Sequence, residues 1–388
     1  MFKIQTLNKI SPNGLDHFQR KNYEVASEIL SPDAVVVRSF KMHEMELDTN
    51  LKAIARAGAG TNNIPIDKCS DKGIVVFNTP GANANAVKEL VIASLFLSSR
   101  DIANGIAWTQ SIKDEGDNVP ALVEKNKSNF GGCEIKGKTL GVVGLGAIGA
   151  MVANNALDLG MNVVGYDPYL SVEAAWELSS KVKKATGLET LLAEVDYLTI
   201  HVPLLESTKG MFNSEKFSMM KDGIKIINFA RGGLVDDDDM IKALESGKVS
   251  SYVTDFPEAK LLGVKGVVPI PHLGASTSES EENCAVMAVE QIKDFLENGN
   301  IKNSVNFPNA ILPRTASENR IIIANKNVPN MIGEISSLLA ENSINIHDML
   351  NKSKNDLAYN IIDVDGEVSD AVVEKLQNID GIIAVRVI

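Results

Sequence analysis

GVVGLGAIG, residues 141–149, is the stretch on which the reading of this chain turns. It closes an apolar run, TLGVVG, and opens a helical one, AIGAMVANNALDLG. Gly144 permits a tight turn, Gly146 lets backbone approach a pyrophosphate, and Gly149 lets the helix pack close to the strand. The helix's first N–H groups then meet a phosphate with the positive end of the helix dipole. Taken alone the spacing is a weak signal, since a glycine-rich turn without a ligand has the same pattern. Asp167, in NVVGYDPY, narrows it, because it follows Gly149 by 18 residues at the end of the next apolar run. A carboxylate there accepts hydrogen bonds from ribose hydroxyls and repels the extra phosphate of NADP. The turn therefore predicts an NAD site.

Outward from the turn, NVVGYDP, DYLTIHVP, IKIINFARGG and SSYVTDF each fit a strand, separated by lengths that suit crossover helices. With the strand before the turn they predict five or six parallel strands. Toward the N-terminus, AVVVRS (34–39), LKAIARAG (51–58) and IVVFNTP (74–80) predict a second parallel sheet covered on both faces. Apolar residues at helical spacing mark long helices over 83–102 and 279–299. The stretch between 102 and 138 is polar and glycine-bearing and reads as a loop, with Lys125 and Lys127 on it. Residues 305–319, rich in Pro and Asn, read as a linker. Beyond them a strand, a helix, two strands, a helix and a strand give the βαββαβ order of a ferredoxin-like domain.

Composition removes several classes. The 388 residues exceed one ordinary core, so two or three domains are expected. No apolar run reaches the ~18 residues of a membrane helix, and a soluble cytoplasmic protein is expected. A net charge of −12 argues against a nucleic-acid partner, although one pocket can still be locally positive. Cys69, Cys133 and Cys284 have neither metal-ligand spacing nor a disulfide framework, so free thiols and no metal are expected.

Oxidising a 2-hydroxy acid requires a cation for the carboxylate and a base for the hydroxyl proton. Arg231, in INFARGG just past a strand end, offers a guanidinium fork that grips a carboxylate through two parallel hydrogen bonds. His272, in IPHLGAS, is a base suited to neutral pH. By position alone, Arg231 equally suits a surface role and His272 a structural one.

From about Ala53 to Asn306 the chain resembles the D-2-hydroxyacid dehydrogenase family. The motifs that carry the resemblance are GVVGLGAIG, HVPLLESTKG with MFN following, INFARGGLVD and PHLGAST. The resemblance implies that Arg231 binds the substrate carboxylate and that His272 is the acid/base, its pKa raised by a nearby Glu. The text TDFPEAKLLG puts Lys260 where that Glu often stands, so Glu258 is nominated as the one carboxylate between Asp255 and His272. Further NAD contacts are implied at Ala147, Ile148, Val202, Phe229, Ala230 and Asp255. The fold implied is α/β: a Rossmann-type NAD-binding domain (97–280) inserted in a flavodoxin-like substrate domain (1–96 and 281–307), followed by a ferredoxin-like tail (318–388).

Within the family the likeness points to oxidation of 3-phosphoglycerate, a small anionic substrate, to 3-phosphohydroxypyruvate in L-serine synthesis. Arg38 and Ser39 at one strand end, with Arg56 beside the Gly58 loop, would hold a carboxylate and a phosphate together, although Arg38 also fits a strand-end surface residue. The tail resembles an ACT domain, an amino-acid-sensing module, with Asn327 and Asn345 placed to meet an L-serine effector. The same tail would also serve assembly alone, and a homodimer or homotetramer is expected either way. The alternatives are a glyoxylate/hydroxypyruvate reductase and, from another class, an NAD-sensing scaffold or corepressor.

Overall fold

Short apolar strands need cover on both faces, and two separate sheets of this kind organise the chain. The computed structural model describes residues 1–315, 317 and 319–388. Residues 316 and 318, in the expected linker and at the expected start of the tail domain, lie outside the described residues. The chain divides into two units, residues 1–83 with 278–388, and residues 84–277.

In the first unit, strands Phe2–Leu7, Tyr23–Ala26, Ala34–Val37, Ala53–Arg56 and Val75–Phe77 run parallel. Counted along the chain their order is 2-1-3-4-5, the flavodoxin-like arrangement. All of Ala34–Val37 is buried, as a strand covered on both faces requires. One cover is the helix Ser278–Asn298, whose Ala285, Val289, Ile292 and Phe295 share a core with Ile4, Val36 and Ala55.

The tail of this unit contains strands Asn319–Lys326, Asn345–Lys354, Leu357–Asp365 and Ile382–Val387, antiparallel and in the order 2-3-1-4. With helices Met331–Glu341 and Asp370–Gln377 this is the ferredoxin-like order. Ile321, Ile323 and Ile362 on one face form a core with Ile335, Leu339 and Leu376 of the two helices. Ile322, Ala324, Tyr359 and Ile361 on the other face join the core of the first sheet and the helix Ser278–Asn298. Arg320, fully buried, locks this arrangement through five hydrogen bonds. Two go to the Asp363 carboxylate (2.5 and 2.8 Å), and three to the carbonyls of Asn298 (2.8 Å), Leu312 (2.9 Å) and Pro313 (3.0 Å).

In the second unit seven parallel strands form one sheet: Thr139–Val143, Asn162–Tyr166, Lys183–Lys184, Tyr197–Ile200, Ile224–Asn228, Val249–Thr254 and Val267–Pro269. Their order is 7-6-5-4-1-2-3, so the direction of winding reverses at Thr139–Val143. Ligands of open α/β sheets bind beyond the strand ends at such a switch point.

Two elements differ from the sequence reading. The unit boundaries fall at 83/84 and 277/278, whereas the expected domain junctions are 96/97 and 280/281. The cause is the helix Ala84–Ser99: its Val87, Val91 and Leu95 share a core with Leu140, Val142 and Val253 of the nucleotide sheet. The expected loop after 102 contains two helices, Ile102–Ser111 and Val119–Asn126. Neither buries a residue, so no apolar periodicity marked them. Among the described residues no single helix is long and apolar enough to cross a membrane.

Candidate active site

At the switch point each glycine of the turn meets a different constraint. Gly144 has a φ of +89°, and a Cβ there would lie 2.6 Å from the His201 carbonyl oxygen. A Cβ on Gly149 would lie 1.9 Å from the Gly144 carbonyl oxygen, so helix Ala147–Asp158 sits against the turn itself. Above Gly146, by contrast, nothing lies within 4 Å of the added Cβ. Gly146 and Ala147 are exposed, Ile148 is half-buried, and no side chain caps the helix start. The first N–H groups of the helix thus open onto free space, which an anion would fill.

Asp167 follows the second strand of this sheet and is tied to the turn. One oxygen accepts the Leu145 N–H at 2.8 Å and the other the Tyr169 N–H at 2.8 Å. Val202 approaches from the next strand end, its Cγ1 at 3.1 Å from the Cβ position of Gly144. The neighbouring His201 donates or accepts at Thr199 Oγ1 (2.9 Å), and loss of solvation pulls its pKa down to about 4. A neutral imidazole therefore flanks the turn at physiological pH. The sequence reading missed it, although HVP at a strand end was visible.

Arg231 and His272 lie on loops beyond strands Ile224–Asn228 and Val267–Pro269, which flank Val249–Thr254 in the same sheet. Asn228, the last residue of its strand and almost fully buried, shapes the first loop: its amide donates to the Arg231 carbonyl (2.9 Å) and accepts the Ala230 N–H (3.2 Å). Phe229 is buried below, Ala230 is half-buried, and the Arg231 side chain is exposed. Asn228 was also missed; a single Asn closing the apolar run IKIIN was its only signal. The His272 ring is exposed and packs on Phe256, centroids 4.6 Å apart. Phe256 is also 3.4 Å from the Cβ position of Gly232 in the arginine loop, which places the two loops side by side.

Asp255 lies beneath them, 2% exposed. Its Oδ2 accepts the Gly274 N–H at 3.3 Å, and its Oδ1 has no hydrogen-bond partner. Burial raises its pKa, against the opposing pull of His272, the Gly274 N–H and Arg231. An unpaired buried carboxylate oxygen is costly and fits a site completed by a donor from a ligand. Glu258 is placed differently. It is exposed, and its charge acts on Lys260 and Asp237. His272 is among the charges that act on the Asp255 carboxyl.

The residues named in the first unit form a second cluster. Arg56 Nε donates to the Arg38 carbonyl (3.0 Å), and Gly58, at a φ of +152°, leaves room for the Arg56 guanidinium, 2.7 Å from its Cβ position. Arg38 pairs with Glu281 at 2.6 Å. Ser39 spends its N–H on Asn8 Oδ1 at 3.0 Å. In the tail, Asn327 donates to the Asn355 carbonyl (3.1 Å) and Asn345 to Asp365 (2.9 Å). These two lie at opposite ends of the paired strands 345–354 and 357–365, about 30 Å apart at ~3.3 Å per residue. One chain does not bring them together.

The open cradle at Gly146, the carboxylate at Asp167 and the orphaned Asp255 Oδ1 together fit a dinucleotide with a carboxamide at one end. Residues 93–274 match the model of the D-isomer specific 2-hydroxyacid dehydrogenase, NAD binding domain. The chain is 40% identical over 281 residues to the hydroxypyruvate reductase of Thermotoga maritima, covering 69% of this chain and 86% of that protein. It is 34% identical over 327 residues to the D-3-phosphoglycerate dehydrogenase of Archaeoglobus fulgidus, covering 79% of this chain. The match spans only 59% of that relative's length. The NAD+-bound crystal structure of 3-phosphoglycerate dehydrogenase from Entamoeba histolytica aligns with a TM-score of 0.60 at 27% identity, over 80% of this chain and 99% of that one. The chain belongs to the D-isomer specific 2-hydroxyacid dehydrogenase family, and its cofactor is NAD.

Proposed function

We propose that the chain oxidises D-3-phosphoglycerate to 3-phosphohydroxypyruvate with NAD, supplying a precursor of L-serine. The observation that carries the dehydrogenase reading is the grouping of Arg231, His272 and Asp255 on the strand ends of the sheet that presents the glycine turn. When bound, NAD accepts the hydride from C2 of the substrate. Arg231 binds the carboxylate and fixes C2. A ring nitrogen of His272 takes the hydroxyl proton, and the charge so formed faces Asp255, which stabilises it. Asp255 is preferred to Glu258 in this role, supported by its burial and by the action of His272 on its carboxyl, whereas Glu258 is exposed. Its unpaired Oδ1 also suits the nicotinamide amide. The NAD contacts proposed are Gly144, Gly146, Ala147, Ile148, Gly149, Asp167, Val202, Phe229, Ala230 and Asp255.

Arg38, Ser39, Arg56 and Gly58 are assigned to the substrate's anionic groups. The likeness to the Archaeoglobus protein favours the phosphorylated substrate, and that to the Thermotoga protein favours hydroxypyruvate reduction as the second reading. NAD reduction with 3-phosphoglycerate, glycerate and lactate separates them. Arg38→Ala is expected to lower turnover of 3-phosphoglycerate at least tenfold more than reduction of glyoxylate, the loss typical of one charge-assisted hydrogen bond. Equal losses on both substrates would remove the phosphate assignment.

Asp167→Asn tests the cofactor choice. The amide oxygen can keep one of the two backbone N–H partners, Leu145 or Tyr169, while the charge and the second acceptor are lost. KM for NAD should rise about tenfold and the preference over NADP should shrink, at the scale of one charged hydrogen bond. An unchanged NAD/NADP ratio would show that discrimination lies elsewhere.

The tail is proposed as an ACT-like module that senses L-serine in a homodimer or homotetramer. Its βαββαβ order supports this, and the separation of Asn327 from Asn345 means that a serine touching both must bridge two copies. Millimolar serine that leaves the activity of the full chain unchanged would reduce the tail to an assembly element.

A further inference from the structure

A cavity of about 310 Å³ lies within the first unit, between residues 49–52 and 72–73 on one side and the tail strand Ile382–Val387 on the other. Its charged lining consists of Lys52, Lys72 and Arg386, with no Asp or Glu, on a chain whose net charge is −12. Lys52 is offset by Asp33 at 2.6 Å. The other two cations meet only dipoles. Lys72 Nζ donates to the Leu47 carbonyl at 2.9 Å. Arg386 donates to the carbonyls of Phe295 and Leu296 and stacks over the Phe295 ring at 4.2 Å. Among the described residues neither takes part in a salt bridge.

Two like charges lining one cavity, Lys72 exposed and Arg386 half-buried, repel, so the pair is poised for a counter-charge. The backbone adds a donor. Ile388 and Arg320 exchange both of their backbone hydrogen bonds at 2.9 Å. In antiparallel pairing this turns the N–H of Val385 away from the neighbouring strand, and Val385 lines the cavity. Phe295, Ile322 and Ala324 supply apolar lining. Gly73 is pressed against the tail, with its Cβ position 2.9 Å from Ala384 Cβ, so a side chain there would intrude on the strand.

We propose that this cavity binds a small polyanion, a phosphate or polycarboxylate, through Lys72 and Arg386. Because its walls come from the flavodoxin-like domain and the tail, occupancy clamps one to the other.

The test is thermal unfolding and calorimetric titration of the full chain with inorganic phosphate and, separately, citrate, at ionic strength held constant with KCl. A ligand that binds only the folded state raises the midpoint with concentration. Phosphate, citrate or both should do so, which also identifies the anion favoured. Lys72→Gln should weaken that affinity at least tenfold, as loss of one charge-assisted hydrogen bond implies. Because Arg386 also anchors the tail, Lys72→Gln is the deciding variant. Arg38→Gln controls for anion binding at the other arginine cluster and should leave the effect intact. The proposal fails if neither anion exceeds KCl, if Lys72→Gln leaves the response unchanged, or if Arg38→Gln abolishes it.

Discussion

His272→Asn is expected to lower kcat by about 10²- to 10⁴-fold, the range for removing a positioned general base, without disturbing the fold. Among the described residues the ring makes no hydrogen bond, and its one aromatic neighbour is Phe256. The thermal midpoint should therefore hold, and so should the KM for NAD. Arg231→Gln should fall mainly in kcat/KM, because the carboxylate loses a bidentate partner. Arg231→Lys should restore little, since an ammonium cannot form the fork. Steady-state kinetics beside a thermal melt separates these effects. A His272→Asn enzyme within tenfold of the parent would mean that another group takes the proton.

Arg320→Met should have the largest effect on stability. Removing one partner of a buried, hydrogen-bonded ion pair typically costs 3–5 kcal/mol. Here it strands the Asp363 carboxylate and the carbonyls of Asn298, Leu312 and Pro313. The pH dependence should invert as well. In the parent, burial pushes the Asp363 pKa up, but the hydrogen bonds from Arg320 and Thr315 outweigh it and hold the group below the usual carboxylate range. A depressed folded-state pKa gives stability that is present above the unfolded value near 4 and is lost as pH falls below it. Without Arg320, burial, the largest influence, is opposed only by the Thr315 hydroxyl and the Arg314 charge, and the folded pKa is expected to rise above the usual carboxylate range. That stability is then present below pH ~4 and is lost as pH rises. Denaturant melts at pH 4 and pH 7 read both slopes. A variant with the parent's pH slope would show that Asp363 finds another cation.

The parts of this molecule that could be read from its residues are those where one physical demand selects one residue type. Gly144 and Gly149 face two separate steric demands, and Gly146 leaves the space above the turn open. Helix Ser278–Asn298 was placed to within one residue at each end because it buries a regular stripe. The seven-stranded sheet was undercounted because Lys183–Lys184 and Val267–Pro269 are two and three residues long, too short for any pattern. The two exposed helices after residue 101 had no core to imprint them. Arg320 escaped because a charge in a strand usually points to solvent. Asp255 escaped as a partner of His272 because a carboxylate closing the run SSYVTDF has no sequence signal for the loop that passes over it, whereas His272 acts on its carboxyl.

The ferredoxin-like tail does not behave as a separable part. Ile322, Ala324, Tyr359 and Ile361 share one apolar core with Phe295 and Phe307. A fragment without the tail would present that face to water as a patch prone to association. Transplanting the tail onto another enzyme would likewise carry an uncovered sheet. Moving the helix Ser278–Asn298 with the tail would uncover the first sheet in turn, because the same helix covers Ile4, Val36 and Ala55. Any change in one would have to be accompanied by a matching change in the other.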